Sequence, residues 1–274
     1  MTRALGSGPV RRWLVPGCAG LAALAWLLPY AWMVLTSFKT LPEIVEHPLA
    51  PPARFDLGAY REVFATVPVA RTMAITFVMA VAIAGAQVAL ALPAGYALAK
   101  LRFKGQKGAF VLVMACLLVP APATFVPVFL MFAKVRLVDT MAALVLPFAA
   151  SALGTFLVRQ ALSSVPDEII EAARMDGASE LRIVYGILGP MLRPTLVSLF
   201  LVSFVFHYSD YFWPLVMTTS DAVRTLPLSM ALLREQGTGA RWHIVMAGNV
   251  VLSTPVLALF AATQRHLLSA VRPE

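Results

Sequence analysis

Six stretches of the chain are almost free of charge: residues 13–35, 72–99, 109–133, 140–158, 194–220 and 242–264. About 20 apolar residues, at roughly 1.5 Å of helical rise each, cross the roughly 30 Å hydrocarbon core of a bilayer, so each stretch has the length of a span. Lipid offers no hydrogen bonds, and a backbone that enters it must satisfy its own N–H and C=O groups, which restricts such spans to helix. The six stretches fill more than half of the 274 residues, and charged residues make up only 13% of the chain, against about 25% in soluble domains. The expected fold is an all-α membrane protein with six transmembrane helices in a single domain, 1–274, with no length left for a separate soluble domain.

A net charge of +8 in a soluble protein would point to nucleic acid; here the placement of the 22 Lys and Arg residues sets topology instead. With the N-terminus inside, Arg3, Arg11, Arg12, Lys100, Arg102, Lys104, Lys107, Arg159, Arg174, Arg182, Arg193, Arg265 and Arg272 fall on inner segments, thirteen of the 22. The short loop from Lys100 to Lys107 holds four of them and no acid, and short loops are where the positive-inside bias acts most strongly. Both termini are therefore expected in the cytoplasm. The first stretch is too long for the apolar core of a signal peptide, about 7 to 15 residues, so it is expected to stay as an anchor. Cys18 and Cys116 both lie inside apolar stretches, which favours a core-filling role over a disulfide.

Between the spans, residues 36–71 carry Pro42, Pro48, Pro51 and Pro52 with balanced charges and a short helix near Leu57 to Phe64. This outer segment reads either as a connector or as a contact for a soluble partner. Lys134 to Asp139 is short enough to make the third and fourth helices antiparallel neighbours. The last outer loop, with Gly237 and Gly239, is a second contact candidate. Prolines inside the spans remove helical donors and kink their helices; the cluster Pro120, Pro122 and Pro127 reads as packing kinks, a cavity lining or a hinge.

The segment from Arg159 to Arg193 is too long for a simple connector, and loops of that length carry function or structure of their own. Ser164-Val165-Pro166-Asp167-Glu168 has the composition of a helix start: a capping serine, a proline in the first turn and acids at the positive end of the helix dipole. The helix runs through Ile169, Glu171, Ala172, Ala173 and Asp176 to Gly177, where glycine allows the left-handed turn into a following helix. Ile169, Ala172, Ala173 and Asp176 are expected along one edge, a shallow surface for a docking protein. An amphipathic helix on the membrane surface is the alternative, disfavoured because acids outnumber bases in a region where the inner leaflet attracts bases.

Glu171-Ala172-Ala173, three residues, Gly177, nine residues, then Ile187-Leu188-Gly189-Pro190 resembles the EAA motif of the integral-membrane permease subunits of bacterial ABC importers, with Gly189 where leucine is usual. The resemblance implies that residues 166–188, within a coupling segment 164–189, form the helix that sits in a cleft of the ATP-hydrolysing subunit. Pro29-Tyr30-Ala31-Trp32 with Ser37-Phe38-Lys39, Gly95-Tyr96-Ala97-Leu98-Ala99-Lys100 with Phe103 and Gly105, and Tyr208 to Leu215 resemble the shorter permease partner of carbohydrate importers of the maltose and glycerol-phosphate type. Tyr208 and Ser209 replace the usual Trp-Asn pair, and Gln264-Arg265 matches the terminal pattern. The resemblance implies a type I importer permease in the bacterial inner membrane. Its implied partners are a second, different permease subunit, two ABC ATPase subunits that bind the ATP, and an extracytoplasmic solute-binding protein. The implied solute is a sugar, amino sugar, glycerol 3-phosphate or glycerophosphodiester.

The chain has no phosphate-binding loop of its own; Gly105-Gln106-Lys107-Gly108 is a basic turn. His47, His207, His243 and His266 lack metal-ligand spacing, and no serine or paired-aspartate arrangement supports an intramembrane protease. No enzyme activity, metal or resident cofactor is therefore expected. The polar run His207, Tyr208, Ser209, Asp210 and Tyr211 is the first candidate for the translocation path, because an ionisable group in a span needs a partner or a wet cavity. Asp210 reads equally as a structural acid or a solute ligand, and Gln87 and Thr124 are further candidates. An ion-coupled secondary transporter is the alternative function; it would need more intramembrane titratable groups and an internal repeat. A membrane scaffold without flux is a third.

Overall fold

A computed structural model describes residues 9–235 and 241–271. Arg3, Arg272, Gly237 and Gly239 lie outside the described residues, as do the side chains of Arg11, Arg12, Gln264 and Arg265. Among the described residues the regular structure is helical: α1 (Pro9–Thr36), α2 (Leu41–Glu46), α3 (Gly58–Thr66), α4 (Val69–Lys100), α5 (Gln106–Cys116), α6 (Ala121–Lys134) and α7 (Met141–Val145), which continues as a 3₁₀ turn over Leu146–Phe148. Next come α8 (Ala152–Ser163), α9 (Asp167–Met175), a π-helix over Arg182–Leu188, α10 (Gly189–Met191), α11 (Arg193–Tyr208), α12 (Phe212–Met217), α13 (Leu226–Glu235) and α14 (Trp242–Val271).

Within these elements, Val69–Lys100 and Trp242–Thr263 are each long and apolar enough to cross a membrane. Two bent pairs reach that length only when each is counted as one unit: Met141–Phe148 with Ala152–Ser163, bent by 42°, and Arg182–Met191 with Arg193–Tyr208, bent by 86°. Gly20–Thr36, Gln106–Cys116 and Ala123–Lys134 are shorter apolar helices. The third, fourth and fifth apolar stretches are therefore not the continuous helices expected of them. Pro120 ends the third: it takes the N-cap position of α6 in extended conformation, and a proline disfavours helical backbone in the residue before it. Ser151 restarts the fourth by accepting the Gly154 N–H at 3.0 Å, and Asp210 does the same for the fifth.

The chain packs as two units, Met1–Pro68 with Met230–Ser253 and Val69–Ser229 with Thr254–Glu274. In the first, residues 36–68 are folded. Lys39 is buried, with its ammonium donating to the carbonyls of His47 (3.0 Å) and Pro48 (3.2 Å). Ser37 meets the Tyr60 hydroxyl at 2.7 Å, the Phe38 ring packs on Phe55 and Tyr60, and Arg241 pairs with Glu62.

The second unit is organised on α4. Toward its C-terminal end Leu92 and Tyr96 join Val158, Leu162, Ile170, Ile183 and Leu188 in one buried cluster. Toward its N-terminal end Met79 and Ile83 join Leu144, Trp213 and Met217 in another. Large apolar side chains elsewhere stay outside, Trp26 and Leu118 at 85% exposure each, which suits a chain whose surroundings are hydrocarbon or another subunit. Both cysteines are free and exposed. The core-filling role expected of them is not what the fold shows, because an apolar span buries a thiol in lipid as readily as in protein.

Candidate coupling segment and translocation cavity

The short helix α9 starts and stops where the sequence says, by partly different means. Ser164, expected as its cap, instead closes α8, its hydroxyl donating to the Ala161 carbonyl at 2.8 Å. Pro166 occupies the N-cap position and supplies no side-chain cap, leaving Asp167 and Glu168 in the first turn to face the positive end of the dipole. At the other end Gly177 has φ +77°, its N–H reaches the Arg174 carbonyl and the Ala178 N–H reaches that of Ala173, both at 3.0 Å. That pair of bonds is a Schellman stop, and glycine enters its left-handed position without strain.

The edge expected from Ile169, Ala172, Ala173 and Asp176 is divided. Ile170 and Ala173 are buried and Ile169 packs on the same cluster, whereas Glu171, Ala172, Met175 and Asp176 face outward. Helical spacing puts residues 170 and 173 on one side, so Ala173 serves the chain's own core rather than a docking face. Gly189 is also buried; a Cβ there would meet Leu92 at an ordinary 3.4 Å, so the departure from leucine is a choice of size, not of backbone.

What holds the segment is a set of residues that sequence reasoning did not name as a site. Lys100 Nζ donates to the Val165 carbonyl and to Asp167 Oδ1, both at 2.5 Å. The Tyr96 hydroxyl donates to Glu180 Oε2 at 2.6 Å and accepts from Arg174 Nη2 at 2.9 Å, while Arg174 Nε donates to Glu180 Oε1 at 2.9 Å. The hydrogen bond and charge of Lys100 hold the Asp167 carboxyl below its ordinary value of 3.8, and the hydrogen bond from Arg174, then that from Tyr96, hold Glu180 below 4.5. The Tyr185 hydroxyl donates to the Ala89 carbonyl at 2.9 Å. That carbonyl is free because Pro93, four residues on, has no N–H to give it. The available signal was the four bases from Lys100 to Lys107 set against five acids between residues 167 and 180.

The second candidate site is a cavity of about 220 Å³ lined by Phe125, Pro147, Phe148, Phe206, Phe212 and Trp213, with Thr124 and Asp210 as polar groups. Asp210 is half-buried, and its Oδ1 accepts from the N–H groups of Phe212 (3.0 Å) and Trp213 (3.4 Å), capping α12. Gln87 donates to the Phe148 carbonyl at 2.8 Å and lies 3.4 Å from His207 Nε2, whose ring packs on Phe148. Gln87 and His207 are thus buried behind the cavity wall; Tyr208 is buried with its ring on Phe204, and its hydroxyl has no hydrogen-bond partner among the described residues. Ser209 and Tyr211 are exposed. Among the described residues no cluster of potential metal ligands occurs.

Comparison with known proteins places this architecture. Residues 91–273 match the family described as binding-protein-dependent transport system inner membrane component. The chain is 28% identical to the arabinooligosaccharides transport system permease protein AraQ of Halalkalibacterium halodurans, over 97% of this chain and 96% of that protein. It is 31% identical to the sn-glycerol-3-phosphate transport system permease protein UgpE of Yersinia enterocolitica, over 69% and 68%. It is 30% identical to the lactose transport system permease protein LacG of Rhizobium radiobacter, over 92% and 91%. The fold matches a chain of a bacterial ABC transporter involved in the import of the acidic polysaccharide alginate, with a TM-score of 0.79 at 21% identity over 97% of this chain and 99% of that one. The chain belongs to the family of binding-protein-dependent transport system inner membrane components. It is an importer permease subunit with the type I fold, as its EAA-like residues and spans led one to expect.

Proposed function

We propose that the chain is one of two different permease subunits of an ABC importer for a sugar or sugar-like solute, crossing the bacterial inner membrane six times with both termini in the cytoplasm. Permeases for arabino-oligosaccharides, glycerol 3-phosphate and lactose among its relatives support the solute class. A binding protein delivers solute from outside, and two separate ATPase subunits bind and hydrolyse ATP. The outward face of α9, with Glu171, Ala172 and Asp176, docks on an ATPase subunit, and the aromatic cavity at Asp210 and Thr124 lies on the solute path. Aromatic faces suit the apolar faces of sugar rings, and the two polar groups suit hydroxyls.

The observation that carries the coupling role is the exposed acidic face of a helix whose other face is anchored to α4. Reversing a charge on that face separates docking from folding. The tagged chain is purified in gentle detergent, wild type beside Glu171→Lys, and its companions are identified. Recovery of an ABC ATPase and a second permease with the wild type, and loss of the ATPase alone in the variant, is the expected result. Uptake of arabino-oligosaccharides, lactose and sn-glycerol 3-phosphate by the intact assembly then ranks the solutes. Recovery of the chain alone in both cases would leave the ion-coupled transporter as the better reading.

A further inference from the structure

Four positions on α4 hold four parts of the coupling segment. Ala89, Leu92, Tyr96 and Lys100 are three, four and four residues apart, a spacing that aligns them along one side of a helix. Lys100 binds Val165 and Asp167 where α9 begins. Tyr96 bridges Arg174 at its end and Glu180 beyond it. Ala89 accepts the Tyr185 hydroxyl from the π-helix, and Leu92 packs beside Gly189. The covalent routes out of the segment are broken by comparison: the turn at Ser164 to Pro166 separates α8 from α9, and an 86° bend precedes α11.

The same helix reaches the cavity wall. Gln87 donates to the Phe148 carbonyl, and Met79 and Ile83 pack in the cluster that contains Trp213, Phe125 and Phe148. A displacement of α9 therefore has stiff contacts into α4, and α4 has direct contacts to the cavity, whereas the chain path must pass a turn or a sharp bend. The hydrogen bonds of Lys100 and Tyr96 to Asp167 and Glu180 involve charged partners and are about twice as strong as neutral ones.

We infer that α4 is the lever that carries movement of the coupling helix to the cavity wall at Phe148 and Trp213, with Tyr96 and Lys100 as the positioning residues that lock α9 to it. This rests on the permease reading above and adds the route. The test uses the purified assembly with its ATPase, Cys18 and Cys116 replaced by serine, and a single reporter, Thr124→Cys, in the cavity. Maleimide labelling of the reporter is timed with and without Mg-ATP and vanadate, which needs no knowledge of the solute.

In the background assembly ATP and vanadate are expected to change the labelling rate. In Tyr96→Phe with Lys100→Met, which keeps the buried ring and the aliphatic stem, that change is expected to be lost, read beside the amount of ATPase that co-purifies. Lys100→Asp, which faces Asp167 with a like charge and cannot donate to the Val165 carbonyl, should lose the response, whereas Lys100→Arg, which keeps the charge and the donors, should retain most of it. If the double variant fails to assemble, these two single variants decide by themselves. An undiminished response in the double variant, or equal responses in Lys100→Asp and Lys100→Arg, overturns the lever. A background assembly that binds no ATPase or ignores ATP overturns the coupling reading instead, so the two failures are distinct.

Discussion

A methyl group at position 95 has no room. A Cβ built there would lie 2.7 Å from Val158 Cγ1 and 2.9 Å from the Arg159 backbone nitrogen, and a backbone atom cannot turn aside as a side chain can. Gly95 therefore sets how closely α4 and α8 approach, and Gly95→Ala should destabilise the protein by about 1–3 kcal/mol through overpacking. Gly85, on the same helix, has nothing within 4 Å of its added Cβ, so Gly85→Ala should be neutral or stabilise by up to about 1 kcal/mol through helix propensity. Thermal unfolding of the two variants in one detergent checks both. In the sequence Gly95 is part of a motif and nothing more; its reason is a contact 63 residues away, which neither spacing nor composition expresses. Glu171 and Gly177 were legible because their roles are local to one short helix. Tyr96 and Glu180 were not, because 84 residues separate the two ends of their hydrogen bond.

Helix α9 is held by acids, and this fixes how it responds to pH. Asp167 and Glu180 both have carboxyl pKa values below their ordinary 3.8 and 4.5 in the folded chain. A depressed carboxylate contributes stability that is present above its unfolded pKa and is lost as pH falls through the folded one. The anchors should therefore be unchanged from neutral pH down to about pH 5 and should fail below the ordinary carboxylate range. Hydrogen exchange over residues 167–188, corrected for intrinsic rate, should stay protected to about pH 5 and rise only below the ordinary carboxyl values of 3.8 and 4.5. Protection that falls between pH 7 and pH 6 would contradict this, since the Asp167 and Glu180 carboxyls are both held below their ordinary values. The elements themselves were only partly legible. Low charge locates apolar stretches because it measures the cost of burying them, but it is blind to the direction of backbone hydrogen bonds, which Pro120, Ser151 and Asp210 interrupt. The Arg182–Leu188 π-helix left no pattern that a 3.6-residue period would show.

For the whole molecule, the class of fold was readable from the apolar stretches and the family from the segment 164–189, while the two-unit packing depends on contacts between distant residues. The same division predicts how a change at the coupling segment is felt. Gly177 lies past the end of α9 with φ +77° and open space around its Cβ position, so Gly177→Asp clashes with nothing and costs about 1 kcal/mol of left-handed strain. It does place a second negative charge beside Asp176 at the negative end of the helix dipole, where anions are unfavourable. The cores of both units and the apolar surface that selects the membrane are untouched by it. Membrane yield should therefore stay near that of the wild type while uptake of the sugar that the wild-type assembly accumulates is lost. Gly177→Asn, which tolerates the same backbone without the charge, should retain most uptake. Immunoblots of membranes beside uptake in the same cells separate insertion from coupling, and normal uptake by Gly177→Asp would remove the coupling role from the end of α9.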